Sequence, residues 1–253
     1  MDGATTLSAA AGAVEPPRRA LAIAAHPDDV EFGCGATLAR WAAAGTEIVH
    51  VICTDGSKGT WDTTADLEAL VARRQHEQRA ASRALGGTGV VEFLGRIDGE
   101  LDADVATRRL VVDAIRKHRP DVVFGHDPWK RYRLHPDHRA AGWLAVDGVV
   151  AARDPHFFPD LPIPPHRPHT LLLFEADEPD VVEPADETSL AARCAALEAH
   201  RSQFETTHFH LLDDRDTTDE LEAFRARERA KLAEMGTLAG VPLGEAFKLI
   251  STR

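Results

Sequence analysis

The sequence predicts an α/β protein with a mostly parallel sheet and helices on both faces. Short, continuously apolar runs alternate with helix-patterned stretches along most of the chain, the order that βαβ crossovers impose. The runs lack the in–out alternation of a sheet with one wet face, so both faces are expected to be covered. Two of the runs also end abruptly in polar clusters, at the strand ends where open sheets of this kind bind ligands.

The elements follow in order. "ALAIAA" (20–25) is the first strand, and "ATLARWAAAG" (36–45) is a helix closed by Gly45 at a natural C′ position. "EIVHVICT" (47–54) is the second strand, turned by Asp55-Gly56. A loop holding Trp61 leads to a long helix over 66–87, with Thr63 or Thr64 as cap and Gly86 as stop. "VVEFL" (90–94), a helix over 105–118 and "DVVFGHD" (121–127) come next. Pro136 suits the first turn of a helix running to about Ala152. The proline-rich stretch 154–168 is a loop, and "TLLLFEA" (170–176) is a fifth strand. The C-terminal elaboration, about 177–253, is acidic, with helices over 188–201 and 218–236 and a last strand in "AFKLIS" (246–251). This gives a Rossmann-like domain over 19–253 behind a flexible tail over 1–18, with no internal repeat.

The 253 residues carry a formal charge of -12. That balance argues against a general nucleic-acid or anionic-membrane binder, which needs a basic surface. No apolar run reaches the ~20 residues of a membrane span. The opening twenty residues read as a tail, not as a secretory signal. Cys34, Cys53 and Cys194 are odd in number and widely spaced. They predict a reducing, cytoplasmic setting without a disulfide framework.

The chemistry concentrates in two knots. "AHPDDVEFGCG" (25–35) follows the first strand, and "DPWKRYRLHPDHRAAG" (127–142) follows the fourth. The fourth strand often adjoins the first across the switch point, so the knots are expected to face one crevice. Together they offer His26, Asp28, Asp29, His135, Asp137 and His138. Imidazoles and carboxylates without thiolates suit a catalytic metal site with an open position for water. Adjacent aspartates point in different directions, so one can hold a metal while the other addresses its water. His135 and His138, three apart at a helix start, can share a face. Spacing leaves the division of labour among these groups open. Taken alone, each knot could also be a helix cap or a solvated turn.

These motifs, with Arg-x-x-Glu at Arg74 to Glu77, "HRSQ" at 200–203 and "GEAF" at 244–247, resemble the PIG-L/LmbE-like family of zinc-dependent de-N-acetylases. The resemblance implies a hydrolase that removes an N-acyl group, typically N-acetyl, from a small amino sugar or related metabolite, with one zinc ion per chain. It implies His26, Asp29 and His138 as metal ligands and Asp28 as the base that deprotonates the water. His135 would stabilise the oxyanion and protonate the leaving amine, Asp137 would tune that histidine, and Arg74 would contact the substrate. The loop "RYRL" replaces the residues that usually precede the second motif, which brings Tyr132 and Arg133 into consideration. Self-association into a homo-oligomer is compatible with the resemblance. A thiol-conjugate amidase of the same chemistry and a non-catalytic sugar- or nucleotide-binding module are the alternatives. A two-metal phosphoesterase is disfavoured because no phosphate-cradling glycine loop is present.

Overall fold

The computed structural model describes residues 10–11, 14–208 and 217–252, with the side chains of 10, 11 and 217–219 aside. Eight strands form one sheet: β1 (Ala10–Ala11), β2 (Arg19–Ala24), β3 (Glu47–Thr54), β4 (Val91–Arg96), β5 (Val122–His126), β6 (Thr170–Phe174), β7 (Val181–Pro184) and β8 (Gly244–Ser251). The helices are α1 (Asp29–Ala43), α2 (Leu67–Ala84), α3 (Val105–His118), α4 (Pro136–Arg153), α5 (Glu187–Glu198) and α6 (Thr217–Thr237). A short 3-10 turn and a π turn occupy 201–208.

The strand order is β1-β7-β8-β6-β5-β2-β3-β4. All pairings are parallel except those of β8, which runs antiparallel to β6 and β7. β5 adjoins β2 in parallel, so the two polar knots do leave neighbouring strands across the switch point. Core clusters lie on both faces of the sheet. One packs β2, β3 and β5 against α3 and α4, and the other packs the same strands against α1. That double burial explains why the strands read as unbroken apolar runs.

Several predicted boundaries shift. Helix α1 begins at Asp29, inside the first motif, seven residues before the predicted start. It bends where Cys34 leaves helical geometry, at φ -150 and ψ 19. The bend frees the amides of Ala36 and Thr37, and both donate to the carboxylate of Glu245 on β8 (2.9 and 2.8 Å). Arg193 of α5 holds the same carboxylate at 2.6 Å and reaches Glu228 of α6 at 2.7 Å. This buried triad ties the C-terminal elaboration to the helix that carries the first motif. Helix α2 is capped by Asp66, which accepts from the Ala69 amide, and not by Thr63 or Thr64. Strands β1 and β7 lie where no strand was expected.

Part of the predicted tail, 1–9 and 12–13, lies outside the described residues. Of the rest, Ala10–Ala11 pair with β7, the Val14 amide donates to Glu183, and Thr46 donates to the Pro17 carbonyl. The three cysteines are free and buried. No described helix is long and apolar enough to cross a membrane.

Candidate active site

β2 ends at Ala24, and two residues later His26 enters a buried polar cluster. Pro27 stiffens the turn into α1. Asp28 occupies the N-cap position of α1, yet its side chain makes no capping hydrogen bond. An N-cap aspartate usually folds back onto the first amides of its helix. Asp28 instead takes left-handed backbone, φ 99 and ψ -23, a strain of about 1–3 kcal/mol for a residue with a Cβ. The result is a buried carboxylate turned away from the helix, with Oδ2 lacking a hydrogen-bond partner and Arg74 Nη2 at 3.7 Å.

Asp29 stands at the centre of the cluster. Its Oδ2 lies 3.3 Å from His26 Nδ1 and accepts the His26 amide at 2.7 Å. Its Oδ1 lies 3.3 Å from His138 Nε2. His126, at the last position of β5, also approaches Asp29, Nε2 to Oδ2 at 3.3 Å. The second motif meets the first through the helix start at Pro136. The His135 and His138 rings stack at 4.7 Å, on one face as their spacing predicts, and His26 packs edge-on to His135 at 4.6 Å.

His26 Nε2 points away from Asp29 into two carboxylates, Asp137 Oδ2 at 3.0 Å and Asp98 Oδ1 at 3.2 Å. Asp137 is fully buried and also accepts the amides of Gly99 (2.6 Å) and Leu101 (3.2 Å). Asp137 makes its hydrogen bonds away from His135 and acts on that ring only through its charge, which opposes the lowering of the His135 pKa by burial and by the neighbouring His26 and His138. Its hydrogen-bonding capacity is committed to His26 and to the loop after β4. Arg74 is also more committed than its resemblance implies. Its two Nη groups donate to the carbonyls of Gly56 (2.8 Å) and Pro27 (2.7 Å), while Nε remains unpartnered. Of the two loop residues in question, Tyr132 projects into solvent and Arg133 reaches the cluster. Arg133 pairs with Glu175, and its Nη1 lies 3.1 Å from His138 Nδ1.

The charges agree with this geometry. Burial pulls the His26 pKa down, but its bonds to Asp137, Asp29 and Asp98 outweigh that and raise it well above the ordinary imidazole value. Burial would raise Asp29, yet the charges of His138 and His126 hold it well below the usual carboxylate range. For Asp28 burial wins, pushing the carboxyl up to about 6 against the pull of Arg74. His135 is lowered by burial and by the neighbouring His26 and His138. Two adjacent aspartates are thus driven in opposite directions, the pattern expected of groups with different tasks.

A divalent metal fits this donor set. Tetrahedral zinc with ligands at 2.0–2.1 Å spaces its donor atoms roughly 3.3 Å apart; His26 Nδ1 to Asp29 Oδ2 and His138 Nε2 to Asp29 Oδ1 each have that separation, through different oxygens of the one carboxylate. Among the described residues, donor atoms converge within 4.8 Å in the sets His26/His135/His138, Asp29/His126/His138 and His26/Asp98/Asp137. The first two each share two members with the predicted trio. The carboxylates behind His26 Nε2 are the usual backing of a ligating imidazole and turn Nδ1 toward Asp29. Two cavities meet at Asp28, Asp29 and His138. One, about 540 Å³, is walled by His26, His135, Asp98, Lys58 and Trp61. The other, about 600 Å³, is walled by Phe32, Lys231 and Met235.

The sequence profile described as PIG-L, GlcNAc-PI de-N-acetylase, matches residues 21–149, which span both histidine–aspartate motifs. The chain belongs to the PIG-L family. Its PIG-L relatives include the diacetylchitobiose deacetylase of Thermococcus kodakarensis, 34% identical over 191 residues that cover 74% of this chain and 70% of that protein. A 1D-myo-inositol 2-acetamido-2-deoxy-alpha-D-glucopyranoside deacetylase of Streptomyces avermitilis is 37% identical over 174 residues. That alignment covers 59% of this chain and 58% of the relative, so the chain matches a little over half of its length. The solved N,N'-diacetylchitobiose deacetylase of Pyrococcus horikoshii, in complex with its inhibitor MPG, superposes with a TM-score of 0.80 at 30% identity, covering 93% of this chain and 84% of that one. PIG-L membership makes this protein a hydrolase of the deacetylase class.

His126, Asp98, Gln78, Glu31 and Glu175 join or buttress the site without having been singled out from the sequence. The signal that could have found three of them was position. Asp98, His126 and Glu175 sit at or just after the carboxyl ends of β4, β5 and β6. The "HRSQ" and Arg-x-x-Glu segments prove to be partners, since Glu77 accepts both the amide and the hydroxyl of Ser202 (3.0 and 2.6 Å).

Proposed function

We propose that this chain removes the N-acyl group, in the simplest case N-acetyl, from a small amino sugar or related N-acyl metabolite. One zinc ion would be held by His26, Asp29 and His138. The observation that carries the reading is Asp28. It is a buried carboxylate without a hydrogen-bond partner on Oδ2, kept off its own helix and set beside Asp29, whose two oxygens lie 3.3 Å from His26 and His138.

Zinc bound there supplies Lewis acidity and brings the pKa of a bound water to about 7. Asp28 accepts the water proton, and the burial of its carboxyl favours holding one. His135 stands at the mouth, less basic than an ordinary histidine, and relays to the departing amine the proton that Asp28 took from the water. Because His135 walls only the 540 Å³ cavity, the amine-bearing sugar belongs there. Trp61 offers an apolar face, and Lys58 and Asp98 offer polar contacts, with Arg74 on the same wall. The acyl half then faces the second cavity. Three buried, unpaired thiols support a reducing compartment, the cytoplasm.

The test pairs metal analysis with amine release from N-acetylglucosamine, diacetylchitobiose and an N-acetylglucosaminyl inositol. Asp28→Asn is expected to keep one zinc per chain and lose about 10²–10⁴-fold in kcat, while His138→Ala loses the metal. Wild-type protein that takes up no zinc on reconstitution, or an Asp28→Asn variant of full activity, refutes the assignment.

A further inference from the structure

The left-handed backbone of Asp28 is held from outside its own segment. Arg74 and Gln78 lie four residues apart on α2, on one face and one turn from each other. Arg74 Nη2 donates to the Pro27 carbonyl at 2.7 Å, and Gln78 Oε1 accepts the Asp28 amide at 2.9 Å. That carbonyl and that amide are the two ends of a single peptide unit. One helix therefore grips both poles of the plane whose rotation changes ψ of Pro27 and φ of Asp28 together.

The grip is itself fixed. Gln78 is fully buried, and the Asp28 amide dictates which end of its side-chain amide faces the turn. The opposite end, Nε2, donates to Glu31 Oε1 at 2.8 Å and lies 3.1 Å from His50 Nδ1. Arg74 is anchored through Nη1 to the Gly56 carbonyl. Asp28 gains nothing from its own side chain, which makes no capping bond. Released, the plane can turn so that Asp28 adopts ordinary N-cap backbone and folds its carboxylate onto the first amides of α1. That is the cheaper local arrangement, and it removes the carboxylate from the water position.

We propose that Arg74 and Gln78 form a peptide-plane clamp, with Gln78 a positioning residue that keeps Asp28 aimed at the reacting water. The inference rests on the role given to Asp28 under Proposed function. It assigns Gln78 a part in the reaction without contact with substrate, and it gives Arg74 a second task beside any contact with the sugar.

The test uses the zinc-loaded full chain. Gln78→Met keeps the volume and removes the acceptor. It is expected to lower kcat about ten- to a hundredfold, the scale of a small misplacement of a reacting group, with KM and zinc content unchanged. The double variant Glu31→Gln/Gln78→Glu reverses donor and acceptor while preserving both hydrogen bonds, and is expected to recover kcat to within about threefold of wild type. Placed on Asp28→Asn, Gln78→Met should cost nothing further, because two residues acting through one group are not additive. A purely packing role would lower the melting temperature and leave the kcat of folded enzyme alone. Wild-type kcat in Gln78→Met, failure of the swapped pair to outperform it, or full additivity on Asp28→Asn overturns the clamp. Full activity in Asp28→Asn overturns the assigned base, and the clamp with it. An inactive Asp28→Asn beside a normal Gln78→Met removes the clamp alone.

Discussion

Asp137→Asn separates the two tasks open to that residue, because its carboxylate hydrogen-bonds His26 and reaches His135 only through its charge. Oδ2 lies 3.0 Å from His26 Nε2, so the imidazole carries its proton there and presents Nδ1 to Asp29 and to a metal. An asparagine with its oxygen at the Oδ2 position keeps the Gly99 and His26 bonds without their charge and turns its NH₂ against the Leu101 amide, whereas the opposite orientation keeps Leu101 and sets NH₂ against the N–H groups of Gly99 and His26. In that second orientation the ring escapes by moving its proton to Nδ1, which blocks the ligating atom, or by turning toward Asp98 at 3.2 Å; in the first it loses only the charge behind Nε2. A charge-assisted hydrogen bond is worth about 1.5–3 kcal/mol, and the surviving Asp98 contact offsets part of it. The expected loss in zinc affinity is about 10–100-fold, or ~1.4–2.7 kcal/mol. Chelator competition on metal-stripped protein measures it, and kcat should return to near the wild-type value at saturating zinc. An unchanged zinc affinity refutes the reasoning. So does a kcat deficit at saturating zinc as large as that of Asp28→Asn, which would make the tuning of His135 the main task of Asp137.

Two further predictions probe the scaffold. Glu245→Ala leaves Arg193 with one carboxylate and orphans the Ala36 and Thr37 amides at the bend of α1. The expected destabilisation is about 3–5 kcal/mol, read from denaturant unfolding, whereas a loss below about 1 kcal/mol would mean the triad is redundant. Glu92 bonds His118 and Lys117, and these hold its pKa at about 2 against partial burial. Its folded value lies below its unfolded one, so its stabilisation is complete above about pH 4.5 and disappears as pH falls toward 2. Solvent screening limits the effect to about 1 kcal/mol, and Glu92→Gln should flatten the stability profile in that window only.

The alternation of strands and helices was legible because both faces of the sheet are covered, so β2, β3, β5 and β6 are continuous apolar runs. Crossover helices carried their own punctuation. Pro136 opens α4, and Gly45 and Gly86 follow α1 and α2 in left-handed backbone. The misreadings have tertiary causes. Residues 30–35 contain two glycines, and nothing local predicts a helix through them. The glutamate that accepts the freed amides lies 209 residues away from Ala36. β7 is four residues ending in proline, and its pairing with β8 closes only after α5 and α6 have intervened. No window of sequence contains both halves of either arrangement.

The site divides in the same way. His26, Asp28, Asp29, His135, Asp137 and His138 stood out because each motif packs several metal-competent groups into four residues. His126, Asp98 and Glu175 are single polar residues, and singly they look like ordinary strand exits. Yet they obey the rule that drew attention to His26. β2 delivers His26, β4 Asp98, β5 His126 and β6 Glu175, all at the carboxyl edge of parallel strands. In such a sheet every carboxyl end opens toward the same crevice, so the polar residue at each exit is a candidate, whether or not a motif surrounds it. Gln78 escapes even that rule. It comes from the middle of a helix and acts on a backbone amide, so its signal lies in the strained φ of Asp28. A left-handed residue without glycine's freedom must be held by something, and the structure names what holds it.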